Sequence, residues 1–279
     1  MQHLQWFPGH MTKAVRMMED SLKLVDGVIF VLDARCPIAC INKNLLKMFE
    51  NKKILYILNK SDLIEKADLF KYIKYFSANY GIAIGACGTD LKYRKIIFDR
   101  AADILSEKLQ RNENKGLNTS LKLMVAGIPN TGKSTIINTL CGEKRAITGD
   151  KAGVTKGKQW IRTENFDLLD TPGTMPPSFD NQTFAVHLAY IGSINDEILD
   201  FSDMALELIK ELKIIYPQKL IDKYGITIEN KEPLEIYEAI CAKRGYLFKG
   251  GEFDYDRCGK AIIDDFRKGR IGKIALDKI

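Results

Sequence analysis

The chain has 279 residues, 46% hydrophobic and 28% charged, with a net charge of +6. Such a length and composition suit a folded, water-soluble protein of one large or two modest domains. No apolar run reaches the roughly 18 residues of a membrane span. MQHLQWFPGHMTK lacks the apolar stretch of a secretory signal, and the six cysteines (36, 40, 87, 141, 241, 258) form no zinc-ligand pattern. The expectation is a cytoplasmic protein with free thiols and no membrane association.

Charge is unevenly spread, +9 over residues 1–174, −7 over 175–240 and +4 over 241–279. A basic body and tail around an acidic middle suit a polyanion touched at two places, nucleic acid being the commonest. Solvated lysine-rich faces would give the same totals.

Short apolar runs come first in chain order: GVIFVLD (27–33), KILYILNK (53–60), GIAIGA (81–86), LKLMVAG (121–127), KQWIRT (158–163) and FDLLD (166–170). Amphipathic helical patterns lie between them at 42–50, 67–80 and 94–110, and RNENKGLNTS (111–120) has the polarity of a linker. This alternation predicts an α/β fold with a doubly wound, mostly parallel sheet. After TPGTMPP (171–177) every pattern is helical: TFAVHLAYIGSI, DMALELIKELKIIY, PLEIYEAICAKRG and GKAIIDDFRKGRIG. Met204, Leu208, Leu212 and Ile215 mark one buried face. Pro176–Pro177 is the natural boundary, giving an α/β domain over 1–175 and a smaller all-α domain over 176–279.

GIPNTGKST (127–135) has the P-loop spacing, between a predicted strand and a predicted helix. Its glycines let the backbone from Asn130 through Thr131, Gly132, Lys133, Ser134 and Thr135 wrap a phosphate chain at a helix N-terminus. Lys133 neutralises the β/γ oxygens, and the Ser134 hydroxyl suits Mg²⁺. Asp170 ends a strand 37 residues after Lys133 and is followed by TPG. That places a carboxylate for water-mediated Mg²⁺ and the Gly173 N–H for a γ-phosphate. Thr155, in AGVTKG, would complete the metal shell only while the γ-phosphate is present.

NKSD (Asn59, Lys60, Ser61, Asp62) follows the second strand. The Asp62 carboxylate can accept from both guanine N1–H and the exocyclic amine, a donor pair adenine lacks, so discrimination of about 10⁴ is attainable. Asn59 would tie this loop to the P-loop, and the Lys60 stem would lie along the base. Gly85 and Ala86 are the expected backbone contacts to the guanine oxygen. The ligand read from the residues is thus GTP or GDP rather than ATP.

These motifs stand in reverse of the usual order. Base recognition falls in 1–110, the linker at 111–120 rejoins it, and the phosphate and switch strands occupy 121–175. A closed-up sheet is indifferent to where its chain starts, so the expectation is a circularly permuted P-loop GTPase domain. The chain then leaves that domain directly after DTPG, which ties the downstream residues to the nucleotide state.

With that order, QWFPGHM (5–11), LDARCP (32–37), ITGDKAGVT (147–155), the DTPG-to-proline exit and KRG…GG…D (243–254), the sequence resembles the YlqF/RbgA family of permuted GTPases. The resemblance implies GTP hydrolysis stimulated by the large ribosomal subunit precursor, contacts to rRNA and ribosomal proteins, and a helical C-terminal domain; a monomer is expected. It also implies two catalytic candidates besides Lys133. His10 matches the family's proposed catalytic histidine, on an arm that Gly9 would leave mobile. Asn130 is similar to the asparagine that binds K⁺ in potassium-dependent GTPases. Thr174 stands where many GTPases place a water-orienting glutamine.

In the tail, Lys243, Arg244, Lys249, Arg257, Lys260, Arg267, Lys268, Arg270 and Lys273 are interleaved with Tyr246, Phe248, Phe253, Tyr255 and Phe266. Basic groups supply phosphate affinity, and exposed rings can stack on bases. The competing reading is a GTP-gated RNA- or protein-binding module in which hydrolysis is incidental.

Overall fold

The run GVIFVLD is buried at all seven positions, which requires a sheet covered on both faces. In the computed structural model, which describes residues 4, 6–117, 120–143, 159–164 and 166–279, this run is β1 (Gly27–Asp33). The others are β2 (Lys53–Asn59), β3 (Ala83–Gly85), β4 (Leu121–Ala126), β5 (Gln159–Arg162) and β6 (Phe166–Asp170). The strand order is β3-β2-β1-β4-β6-β5, parallel throughout except for β5, which pairs antiparallel to β6. β1 lies beside β4, Gly27 against Leu123 through Phe30 against Ala126. Across that seam the early and late strands form one sheet, as the permuted reading requires.

The period-two alternation of the strands builds two cores. Ile29, Val31, Leu55, Ile57, Leu123 and Val125 face helices α4 (Tyr93–Ile104) and α6 (Lys133–Cys141). Phe30, Leu32, Tyr56, Leu58, Met124 and Leu169 face the other way, toward α1 (Gly9–Ser21), α2 (Lys43–Met48) and α3 (Lys66–Asn79). This second core continues without a break into α7 (Gln182–Tyr190), α8 (Phe201–Ile215), α9 (Pro217–Tyr224), α10 (Pro233–Arg244) and α11 (Tyr255–Arg267). Among the described residues no helix is long and apolar enough to cross a membrane.

Three segments differ from the sequence reading. The expected mobile arm at Gly9 is the first turn of α1, whose Met11, Ala14 and Met18 are buried at helical spacing. A side-chain carbon added at Gly9 would meet nothing within 4 Å, and its φ is not positive, so glycine here does not signal a hinge. The polar stretch expected to link the halves from residue 111 begins inside helix α5 (Ser106–Asn114). Its Glu, Lys, Arg and Gln residues favour helix as readily as loop. The last pattern is helical only to Arg267, beyond which the chain runs back across the early strands' loops as a strap.

That strap is held by backbone and side chain together. The Ile274 amide donates to Leu63 O (3.0 Å) and that of Leu276 to Arg35 O (2.8 Å). Asp277 Oδ2 accepts from the amides of Ile38 (2.6 Å) and Ala39 (3.1 Å), and the Tyr72 hydroxyl donates to Asp277 O (2.7 Å). The other carboxylate oxygen of Asp277 lies 3.2 Å from His187 Nδ1, and Glu211 lies 3.0 Å from its Nε2. His187, on α7, thus sits between α8 and the strap.

Burial would lower the His187 pKa, but its bonds to Asp277 and Glu211 raise it to about 9. Because the folded value exceeds the unfolded one of about 6.5, the contribution is complete below that pH and is lost as pH rises toward 9. The shift corresponds to stability on the order of 3 kcal/mol. We expect the melting temperature to fall between about pH 6.5 and 9, and His187→Gln to flatten that dependence when both are followed by thermal denaturation. Parallel curves would assign the pH dependence to other groups.

Candidate functional site

Four loops meet at the carboxyl ends of β1, β2, β4 and β6, where ligands bind in open α/β sheets. β4 leads through residues 127–132 into α6, whose N-cap Gly132 has φ 89°. A side-chain carbon at Gly132 would lie 2.2 Å from Asn59 Nδ2, so both conformation and proximity require glycine. Gly173 is constrained by proximity alone: a Cβ would meet Pro129 N at 2.6 Å and Lys133 Nζ at 2.8 Å. The loop after β6 therefore lies directly on the P-loop.

Asn59 is the joint between the two halves. It is buried, its Nδ2 donates to Thr131 O (2.8 Å), and its Oδ1 accepts from the Gly88 amide (2.8 Å). Lys60, at φ 58°, donates through Nζ to Asn130 O (2.8 Å) and pairs with Asp33 Oδ2 (3.0 Å). Ser61 is buried, its amide donating to Ala86 O (3.0 Å), while Asp62 is exposed. Ala86 differs from expectation. Its amide donates to Leu58 O within the β2–β3 ladder (2.9 Å), and the cleft is instead lined from this loop by Gly88, Thr89 and Leu91.

At the phosphate end, Lys133 is 7% exposed and its Nζ donates to Ile128 O (2.8 Å). Burial pushes its pKa down to about 8, opposed by Asp170. Asp170 is 2% exposed; burial raises its carboxyl and Lys133 opposes that. The Ser134 hydroxyl stands 3.5 Å from Asp170 Oδ2, and among the described residues Asp170 Oδ1 has no hydrogen-bond partner. A buried carboxylate oxygen left unpaired beside a hydroxyl fits a hard divalent cation that keeps most of its waters. Thr155 and the rest of ITGDKAGVT lie outside the described residues.

The cleft, about 990 Å³, is closed on one side by the helical part: Ile191, Gly192, Asp196, Asp264, Arg267 and Lys268 line it together with Lys60, Asn130, Gly132 and Thr135. Asn130, at φ 59°, donates its amide nitrogen to Gly192 O, and Ser193 Oγ donates to Pro129 O (2.7 Å). These helical contacts were not legible beforehand, since nothing in a sequence places a loop after α7 on a loop after β4.

The remaining candidates divide. His10 is exposed on the first turn of α1, its ring edge toward Trp6 (6.4 Å between centroids). Its neighbour Met11 is buried, with the Met175 amide 3.4 Å from its sulfur, so α1 is seated on the loop that follows DTPG. Thr174 is wholly buried, and its hydroxyl has no partner among the described residues. Asp33 and Arg35 of LDARCP are also buried here, as an ion pair that the motif alone did not announce.

The family described as 50S ribosome-binding GTPase matches residues 122–238. Ribosome biogenesis GTPase A of Priestia megaterium is 37% identical across 98% of this chain and 96% of its own. The protein of that name from Thermotoga maritima is 30% identical across 99% and 94%. A GDP-bound YlqF structure is 26% identical, with a TM-score of 0.65, covering 94% of this chain and 98% of that one. The GNP-bound YlqF from T. maritima gives 27% and 0.62, covering 95% and 98%. Relatives matched end to end at such identity, on a sheet of this order and with these loops at its rim, place the chain in the ribosome biogenesis GTPase A family of circularly permuted GTPases.

Proposed function

We propose that this GTPase hydrolyses GTP as a monomer in the cytoplasm to time a late step in maturation of the large ribosomal subunit. The α/β part, 1–175, binds the nucleotide, and the helical part, 176–279, reads its state onto rRNA and ribosomal proteins. The observation that carries the nucleotide half is the pair Asn59 and Lys60 bonded to two successive P-loop carbonyls, those of Thr131 and Asn130. The base-reading and phosphate-binding loops therefore form one site although the chain presents them in reverse.

Within that site Asp62, which is exposed, reads the guanine edge. Lys133 transfers its donor from Ile128 O to the β/γ oxygens, aided by the backbone from Asn130 to Thr135 and by the Gly173 amide. Ser134, Asp170 through water, and Thr155 would hold magnesium, which neutralises phosphate charge when bound. Asn130 keeps its amide nitrogen on Gly192 O, so its oxygen is the atom that potassium would use. The inward-turned hydroxyl of Thr174 is poorly placed to orient water, which leaves that task to His10, carried to the DTPG loop by α1.

The rRNA face is best placed at residues 243–260. Lys243, Arg244, Lys249, Arg257 and Lys260 are exposed in that stretch, as is Phe248 at 57%. Phe266, interleaved with basic residues in the sequence, is core at 2% and can stack on no base.

Two measurements test this reading. Asp62→Asn exchanges a double acceptor for one donor and one acceptor, which suits xanthine. Competition against fluorescent GDP should show guanine affinity falling at least about 100-fold while XDP gains. Unchanged guanine preference would remove Asp62 from the base site. GTP turnover should rise strongly with purified large subunits and in potassium rather than sodium, and fall at least about 100-fold in His10→Ala. Turnover indifferent to subunits would favour a GTP-gated binding module.

A further inference from the structure

LDARCP puts two opposite charges at the end of β1 where the sheet otherwise buries apolar groups. Asp33 is 0% exposed and Arg35 2%. Arg35 forks onto the carboxylate, Nε to Oδ1 at 2.9 Å and Nη2 to Oδ2 at 2.8 Å. Its remaining Nη1 donates to Phe266 O and Arg267 O, both at 3.2 Å, the last carbonyls of α11. Asp33 Oδ2 accepts a second cation, Lys60 Nζ. Burial would raise the Asp33 pKa, but Arg35 and Lys60 hold it well below the usual carboxylate range, so the cluster is ionised at working pH.

A buried ion pair is a poor device for stability, since apolar replacements of similar size often stabilise as well or better. What this one supplies is direction. Lys60 has a flexible four-carbon stem on a residue in the left-handed region, and one P-loop carbonyl would leave it free to swing. Asp33 gives it a second fixed anchor, held in turn by the Arg35 amide on Oδ1 (3.1 Å) and by the planar guanidinium of Arg35, which spans both its oxygens. The Arg35 plane is set in turn by the end of α11, over the Phe266 ring at 5.1 Å.

We propose that Arg35 is a positioning residue for guanine-nucleotide binding, fixing Lys60 through Asp33 from an anchor on the C-terminal end of α11. The proposal rests on residues 59–62 being the guanine site. Arg35 borders the cleft but is 2% exposed, with its guanidinium engaged by Asp33 and the end of α11, so its effect is transmitted by the lysine that lies along the base.

The test is a double-mutant cycle on fluorescent-GDP affinity with Arg35→Lys, Lys60→Met and the double variant, with melting temperature followed on the same samples. Arg35→Lys keeps one charge for Asp33 but cannot span both oxygens and both carbonyls. It should weaken GDP binding about tenfold in the wild-type background and less than about twofold once Lys60 is methionine. Equal losses in both backgrounds, or lost melting temperature with unchanged affinity, would make Arg35 merely structural and overturn the proposal. Wild-type affinity in Lys60→Met alone would also overturn the proposal, whereas the guanine reading of 59–62 would fall only if Asp62→Asn left the guanine preference unchanged. Should Arg35→Lys not fold, Asp33→Asn/Arg35→Met removes both charges together and carries the same cycle with the same expected pattern.

Discussion

One buried amide holds this site together. Asn59 gives its nitrogen to the P-loop and its oxygen to the loop after β3, so three loops share a single side chain that water scarcely reaches. Removing it would leave Thr131 O and the Gly88 amide without this partner, a cost of about 1–3 kcal/mol for each such group. Gly132 is glycine because Asn59 lies against it, and Gly88 approaches the same amide closely. The pairing of β1 with β4 brings the halves side by side, and Asn59 fixes their loops to hydrogen-bond accuracy. Chain order becomes immaterial because this joint is made in space.

Permutation nevertheless decides what the nucleotide can move. The chain leaves the sheet after β6 through Thr171, whose hydroxyl donates to Val125 O (2.7 Å), and passes the P-loop again at Gly192 and Ser193. It then returns along the strap to Leu63, Arg35 and Asp277's partners on the first half. The helical part is therefore fastened to the phosphate loop at one end and to the base-recognition half at the other. A displacement of the DTPG loop would act on a body already gripped on both sides, a suitable arrangement for converting a small local change into a reoriented surface.

The sheet was legible because its signals are local. GVIFVLD and FDLLD form strands with the bounds read from sequence, and the P-loop and NKSD patterns land at strand ends because their chemistry demands it. The segments that escaped depend on distant partners. Met11, Ala14 and Met18 have helical spacing, but Gly9 ahead of them reads as part of an arm until Met175 supplies the packing. The strap has no periodicity at all; its structure comes from Leu63, Arg35 and Tyr72, about 200 residues or more away. Ala86 failed for a related reason, since whether an amide faces the cleft or the ladder depends on strand register rather than composition.

Among the described residues the two buried side-chain oxygens without a partner are Asp170 Oδ1 and Thr174 Oγ1, at the end of β6 and on the loop after it. The other buried side-chain polar atoms of the described residues are paired, as folded proteins generally require. The first is what a metal-binding aspartate looks like when the protein alone cannot complete its contacts. The second has a different meaning: Thr174 is held by its backbone, its amide toward Gly127 O (3.4 Å) and its carbonyl taking Asn42 Nδ2 (3.1 Å), which turns the side chain into the core. With its backbone held so, the hydroxyl is buried away from solvent. Packed on that loop is α1, seated on Met175 with His10 exposed at its first turn.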